Sequence, residues 1–428
     1  MPAKCETMKK WFIMTFVLLG LTACSSDDAG KDSPTPPAST ARRTVVVYMS
    51  GENNLSGYLD SDINEMKAGM KSVAADENLV LFIDRASTAE KPYIAKVTTD
   101  GELETLYTYD SDFHASDPEK MADVLNRAVG LCPATEDYGL VLWGHANGWF
   151  IEKDSIAIHR AYGLDTGNNS TGISGIWINI PTMREVLGQK VSVRFKFIFF
   201  DCCNMQNVET AYELKDVTDY IIASPAEIPG KGAPYNTIVP CLFNHDDVSM
   251  YKGICDNYYA QTDASGGHLP ISVVKMKNMD ALATATRNIL NKVVSHLPKN
   301  DIGTGHVYYF GVRQSDGWTT TYPDKYKAKY DAKDIIRWTV AGDDEAAYLQ
   351  WLSVLEQAVV YSRISTFWQT SYLKTSNKAF ADFTVTADNY GGVSMFFPLE
   401  KYTGDVNFNE DVKKLAWYHA VGWKDVGW

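Results

Sequence analysis

Between residues 43 and 276 two kinds of apolar pattern alternate along the chain. The first is a short unbroken run rich in β-branched and aromatic residues, at 44–49, 79–83, 138–143, 195–200, 220–223 and 271–274. Runs without polar alternation mark strands covered on both faces. The second has helical period. Leu59, Ile63, Met66 and Met70 share one side of a helix. Asp117-Pro118 combines an N-cap acid with a proline at the first helical position and opens a helix to about residue 130. Thr182 and Glu185 have the spacing of a capping box. Val208, Tyr212 and Leu214 mark a helix just after the fourth run. Strands alternating with helices predict βαβ units, and so an α/β fold whose mostly parallel sheet carries helices on both faces. Chemistry on such sheets gathers at the carboxyl ends of the strands.

Past Met276 the pattern is less regular. Helices are expected at 280–296 and 344–362, and a late strand at 392–398. No repeat and no Pro/Gly/Ser linker forces a boundary. The expected division is a core at 43–276 and an irregular α/β C-terminal part at 277–428 packed on it, which can equally belong to the same domain.

The first residues read as an address. Lys9 and Lys10 precede an apolar run at 11–21, too short to span a bilayer as a stable helix. It ends in Leu21-Thr22-Ala23-Cys24, which resembles a bacterial lipobox, so 1–23 is expected to be a signal peptide and Cys24 a lipidated residue. Residues 24–42 are rich in Ser, Asp, Pro and Thr and read as a flexible tether. Ser25-Ser26-Asp27-Asp28 resembles the surface-export signals of Bacteroidetes lipoproteins. The expected location is the bacterial cell envelope, lipid-anchored at the outer membrane.

Composition narrows the chemistry. The net charge is −13 without a basic run, which argues against a nucleic-acid partner. Seven cysteines show no CxxC pair, so neither a zinc site nor a disulfide scaffold is expected. No GxSxG elbow is present for a serine hydrolase.

Two strand ends carry candidate chemistry. One run enters Trp143-Gly144-His145-Ala146-Asn147-Gly148, the next Phe200-Asp201-Cys202-Cys203-Asn204. If the strands are parallel neighbours, His145 and the cysteine pair reach one rim, roughly 60 residues apart in the His-before-Cys order of caspase-type proteases. An imidazole can take a thiol's proton and return it to a leaving amine.

The string from Phe200-Asp201-Cys202-Cys203 through Val208-Glu209-Thr210-Ala211-Tyr212-Glu213-Leu214 resembles the clostripain (C11) peptidases, as do Ile222-Ala223-Ser224 with Glu227-Ile228-Pro229-Gly230, Tyr48-Met49 with Asn53-Asn54-Leu55, and Asp62 to Met66. The resemblance implies a caspase-like fold and a cysteine endopeptidase with a Cys203–His145 dyad, Cys202 standing where the family usually has Ala. It implies an oxyanion hole from the backbone N–H groups of Cys203 and of Ala146 and Asn147. It places Asp201, Ser224, Glu227 and Lys231 around the substrate side chain. Lys231 stands where relatives specific for Arg or Lys often have an acid, so a basic P1 preference stays open. Lys153 and Arg160 are either self-cleavage points or ordinary loop charges. No cofactor is required, calcium being admitted by the resemblance alone. The expected partner is a polypeptide substrate, the expected state a monomer. The rival reading is a catalytically silent relative, a surface lipoprotein acting in binding.

Overall fold

The structure, a computed structural model, describes residues 41–151, 161–168, 175–264, 269–298, 302, 306–307, 329–364, 385–400 and 408–428. The signal peptide, Cys24, the tether to residue 40, Lys153 and Arg160 lie outside them. Thirteen strands are described: β1 (Arg43–Gly51), β2 (Glu77–Arg85), β3 (Tyr93–Val97), β4 (Leu103–Thr108), β5 (Asp137–Trp143), β6 (Tyr162–Asp165), β7 (Ile176–Ile178), β8 (Phe195–Asp201), β9 (Thr218–Ala223), β10 (Ile271–Lys275), β11 (Tyr330–Asp331), β12 (Val359–Arg363) and β13 (Ser394–Met395). Nine form one sheet in the order β12-β10-β9-β8-β5-β1-β2-β3-β4. Its five central strands, β9 to β2, are parallel, and both edges are antiparallel.

The uniformly apolar runs explain the layering. Val45, Val47 and Met49 of β1 point to one face, Val46 and Tyr48 to the other, and the neighbouring strands divide alike. The first face is covered by α1 (Leu59–Met70), whose predicted stripe Leu59, Ile63, Met66 and Met70 is buried. The opposite face is covered by α2 (Pro118–Leu131), where Asp117 caps the N–H groups of Glu119 and Lys120. Next come α3 (Ile180–Glu185), α4 (Val208–Glu213), α5 (Tyr235–Leu242), α6 (Asp247–Ala264) and α7 (Met279–His296). The hydrophobic sides of α5 and α6 join the α1 face, and that of α7 joins the α2 face. At the far end of the sheet the buried Arg43 guanidinium holds Asp137 at 2.5 and 2.9 Å and reaches the carbonyls of Leu242 and Asn244. Removing one partner of such a buried pair costs about 3–5 kcal/mol.

Three expectations change, and two strands stand where none was expected. Helix α3 starts at Ile180, with Asn179 at its N-cap and Pro181 in the first turn, so Thr182 sits inside the helix and forms no capping box. The helix expected over 344–362 ends at Ala358, and the β-branched Val359-Val360 leaves it as β12, paired to β10. The late strand shrinks to Ser394–Met395 and pairs with β11 outside the main sheet, because its neighbours bond elsewhere: Phe396 N–H reaches the Glu209 carboxylate at 2.8 Å. Strands β3 and β4 carry Lys96, Glu104 and other polar residues and show no apolar run. Among the described residues no helix is long and apolar enough to cross a membrane.

Candidate active site

Strands β5 and β8 are parallel neighbours, with Trp143 directly opposite Asp201. His145 and Cys203 each lie two residues beyond that registered pair, at the carboxyl rim of adjacent strands. His145 is half-buried, and its Nε2 is 2.5 Å from Asn54 Oδ1. An amide oxygen only accepts, so Nε2 carries the proton and Nδ1 keeps the lone pair. Burial lowers the imidazole pKa to about 4. Cys203 Sγ lies 3.4 Å from Ile228 N and 3.9 Å from Ile228 O. Burial, then the Glu227 charge, pushes its thiol up to about 12, against the Ile228 N–H and the Lys329 charge. Among the described residues no hydrogen bond joins ring and thiol, so the resting pair is a neutral imidazole and a neutral thiol. Cys202 is fully buried, and burial holds its pKa well above the ordinary thiol value, as in an inert core cysteine.

The two rim loops are braced against each other at Gly148. Its φ is +72°, and a Cβ there would stand 2.7 Å from Lys329 Nζ, 2.8 Å from Asn204 O and 2.9 Å from Asn207 Nδ2. Asn207 donates to Asn204 O at 3.0 Å and caps α4 by accepting from Thr210 N at 2.7 Å. Lys329 is wholly buried, donates to Asn147 O at 2.6 Å and lies 4.3 Å from the Phe150 ring centroid. Burial drives its pKa well down, against the pull of Glu209, Cys203 and Glu227. The oxyanion assignment needs one correction: Asn147 N–H donates to Ala161 O at 2.8 Å, within a bridge that pairs Ala146 with Tyr162. Ala146 and Cys203 are the remaining members of that expected donor set.

The residues expected around the substrate separate into different roles. Asp201 is buried. Its Oδ2 accepts from Ala233 N at 3.0 Å and from Tyr235 OH at 2.8 Å, while burial lifts its pKa to about 6. Gly232, at φ +63°, presses on this carboxylate so closely that a Cβ would sit 2.6 Å from Oδ2. Ser224 Oγ accepts from Ala226 N at 3.1 Å and so closes a turn. Glu227 is half-buried beside the thiol and Lys329, its pKa raised by burial to about 7. Lys231 is exposed, and lines a cavity of about 480 Å³ shared with Asp62 and Glu65. Burial, then the Asp201 charge, raises Asp62 to about 8, and Trp143 Nε1 donates to it at 2.7 Å.

Sequence reasoning missed Asn54 and Lys329 as partners of the site. It also missed an acidic group on the same rim. Single ligand atoms of Glu52, Asp84 and Asp112 lie within 4.8 Å of one another, and so do those of Glu52, His114 and Asp165. One signal was available: Glu52 follows β1, Asp84 is next to last in β2 and Asp165 ends β6.

With this geometry in hand, the chain is similar to several known proteins. The family model described as the clostripain family, Peptidase C11, matches residues 47–428. Clostripain of Hathewaya histolytica is 27% identical over 243 residues, 48% of this chain and 44% of that protein, so the match spans less than half of the curated relative. A secreted C11 cysteine protease from Bacteroides thetaiotaomicron, solved with an irreversible peptide inhibitor, superposes with a TM-score of 0.71 at 27% identity, covering 90% of this chain and 100% of that one. An inactive zymogen C11 protease from Parabacteroides distasonis gives 0.69 at 25% identity, covering 90% and 99%.

Proposed function

The chain belongs to the clostripain family, and from that premise we propose that Cys203 and His145 make it a working cysteine endopeptidase. The observation that carries this reading is the β5–β8 register, which delivers both residues to one rim from adjacent strands. In the proposed cycle His145 Nδ1 takes the thiol proton as Sγ attacks the peptide carbonyl carbon. The tetrahedral oxyanion is met by the N–H groups of Cys203 and Ala146. Collapse breaks the C–N bond, and the imidazolium protonates the leaving amine. Water then attacks the thioester, gives its proton to His145, and releases the acid and the thiol. No cofactor takes part in these steps.

We propose a basic P1 residue. Asp62 and Glu65 line the cavity that Lys231 shares, and the charge of the buried Asp201 reaches Asp62, so Lys231 is one exposed cation beside acidic neighbours. Lys231 sets the family's usual preference back rather than reversing it. Lys153 and Arg160 have the P1 chemistry that this pocket would take, which supports self-cleavage there. The lipobox-like Leu21 to Cys24 supports a lipoprotein anchored in the outer membrane, and the reading keeps the chain a monomer. Calcium enters this reading through the family resemblance alone.

A fluorogenic P1 library tests the proposal together with covalent labelling by a peptidyl electrophile ending in Lys or Arg. Labelling is expected at Cys203. Cys203→Ala abolishes cleavage, Cys202→Ala keeps most of it, and His145→Ala loses several orders of magnitude while staying folded. An unlabelled wild-type protein under reducing conditions would favour the silent binding lipoprotein.

A further inference from the structure

We infer that the cavity enclosed by His306, α8 (Ala332–Ile336), the turn after it, α9 (Glu345–Ala358) and the 386–389 turn binds a neutral saccharide, one or two pyranose rings in size. The cavity holds about 600 Å³, within the usual range of small-ligand sites. All its lining residues lie between His306 and Asn389, and none of them bonds His145 or Cys203.

One wall is a widened helical turn. Thr339 Oγ1 donates to Ile335 O at 2.7 Å and reaches Ile336 O at 3.3 Å, and the helix runs as a π-helix from Arg337 to Ala341. A hydroxyl bonded back into the helix carbonyls bends a helix at that point, and single π turns often accompany functional sites. The turn keeps Thr339 and Val340 buried and sends Trp338 outward, 44% exposed. The His306 ring backs the indole at 4.5 Å between centroids.

An exposed tryptophan alone would mean little. In the same cavity, however, Tyr348 is only 5% exposed, yet its hydroxyl makes no hydrogen bond among the described residues. Burial pushes this phenol up to about 12, against the Arg337 charge, so it stays a neutral O–H able to donate and accept. Glu345, also in the lining, has no ion-pair partner among the described residues. Arg337 Nη2 and Asp388 Oδ2 stand 3.5 Å apart, an exposed pair that a ligand can part.

The mixture decides the ligand class. Asp334, Glu345 and Asp388 repel an anion, and the exposed Arg337 guanidinium opposes a cation. A neutral ligand with an apolar face and hydroxyls around its edge satisfies every group. A pyranose lays its electropositive C–H face on the indole. Its hydroxyls then donate to Glu345 and Asp388 and accept from Arg337 and Tyr348.

The full chain is titrated with maltose, lactose, mannobiose and diacetylchitobiose, reading saturation-transfer NMR and calorimetry. At least one is expected to bind in the millimolar range or tighter. Trp338→Ala should weaken that binding at least about tenfold, and Trp338→Phe much less. Tyr348→Phe removes only the unpartnered hydroxyl and should weaken binding about threefold, with Tm unchanged. These variants should cleave a short fluorogenic peptide within about twofold of wild type. Cys203→Ala should bind the sugar as wild type does, so this site and the peptidase reading can fail separately. The bound disaccharide carried on a peptide forms a second arm. Faster cleavage than of the bare peptide, lost in Trp338→Ala, ties the site to a glycosylated substrate; equal cleavage with intact binding ties it to a free polysaccharide. Absence of binding by all these sugars at tens of millimolar overturns the site, as does unchanged binding in Trp338→Ala. A tetralysine peptide that binds where no sugar does, and is lost in Glu345→Gln, overturns the saccharide in favour of a basic polypeptide.

Discussion

A thiol held up to about 12 and an imidazole held down to about 4 share a proton only when substrate attack makes the transfer worthwhile. The proposed dyad therefore rests neutral, and the reactivity of Cys203 toward a small alkylating agent should follow the thiolate fraction. Below a raised pKa that fraction grows with pH, so alkylation of Cys203 by iodoacetamide should accelerate close to tenfold per unit between about pH 7 and 10. A plateau below pH 8 would reveal a pre-formed ion pair instead. Where it carries a proton, the buried amine of Lys329 pulls the thiol pKa down, so Lys329→Met should slow alkylation most at the low-pH end of that window, because burial drives its own pKa well down. The rim placement of His145 and Cys203 was legible in the sequence because each follows an apolar run that forms a core strand. Their supports were not, since Asn54 and Lys329 stand 91 and 182 positions from the residues they bond. Asn147 was misassigned for a related reason: its N–H is claimed by Ala161, in a bridge invisible from local composition.

At the scale of elements, strands buried on both faces announce themselves, and helices with one apolar side nearly as well. The six runs expected as strands are all present, and α1, α2, α4 and α7 lie where their periodicity places them. What stayed hidden was decided by pairing. The polar edge strands β3 and β4 gain their conformation from β2, and β12 breaks away from a helix because β10 offers it an edge. The loops after β5 and β8 depend on a missing side chain. Gly148→Ala would combine an unfavourable φ with contacts under 3 Å to both Lys329 and Asn204, prising the loops apart. Displacements near 1 Å at reacting groups cost on the order of a hundredfold. We expect kcat/KM to fall by at least about that factor while the far-UV circular dichroism stays as in wild type. Activity within threefold of wild type would contradict the bracing role.

At the scale of the molecule, the described residues belong to one compact unit, Ala38–Trp428, and the chain carries a net charge of −13. The proposed lipid on Cys24 is open to a direct test. Cys24→Ala should shift the protein from the membrane fraction to the soluble one without changing its peptidase rate, and equal membrane recovery of variant and wild type would refute lipidation. The strand β12 and the amine of Lys329 both come from the chain beyond residue 276. One closes the flank of the sheet at β10; the other steadies the turn that presents the imidazole. Anyone trimming this protein to a minimal caspase-sized enzyme would thus strip a raw β edge open to self-association and unseat the base in the same cut. The shortest useful version of the enzyme is close to the whole of it.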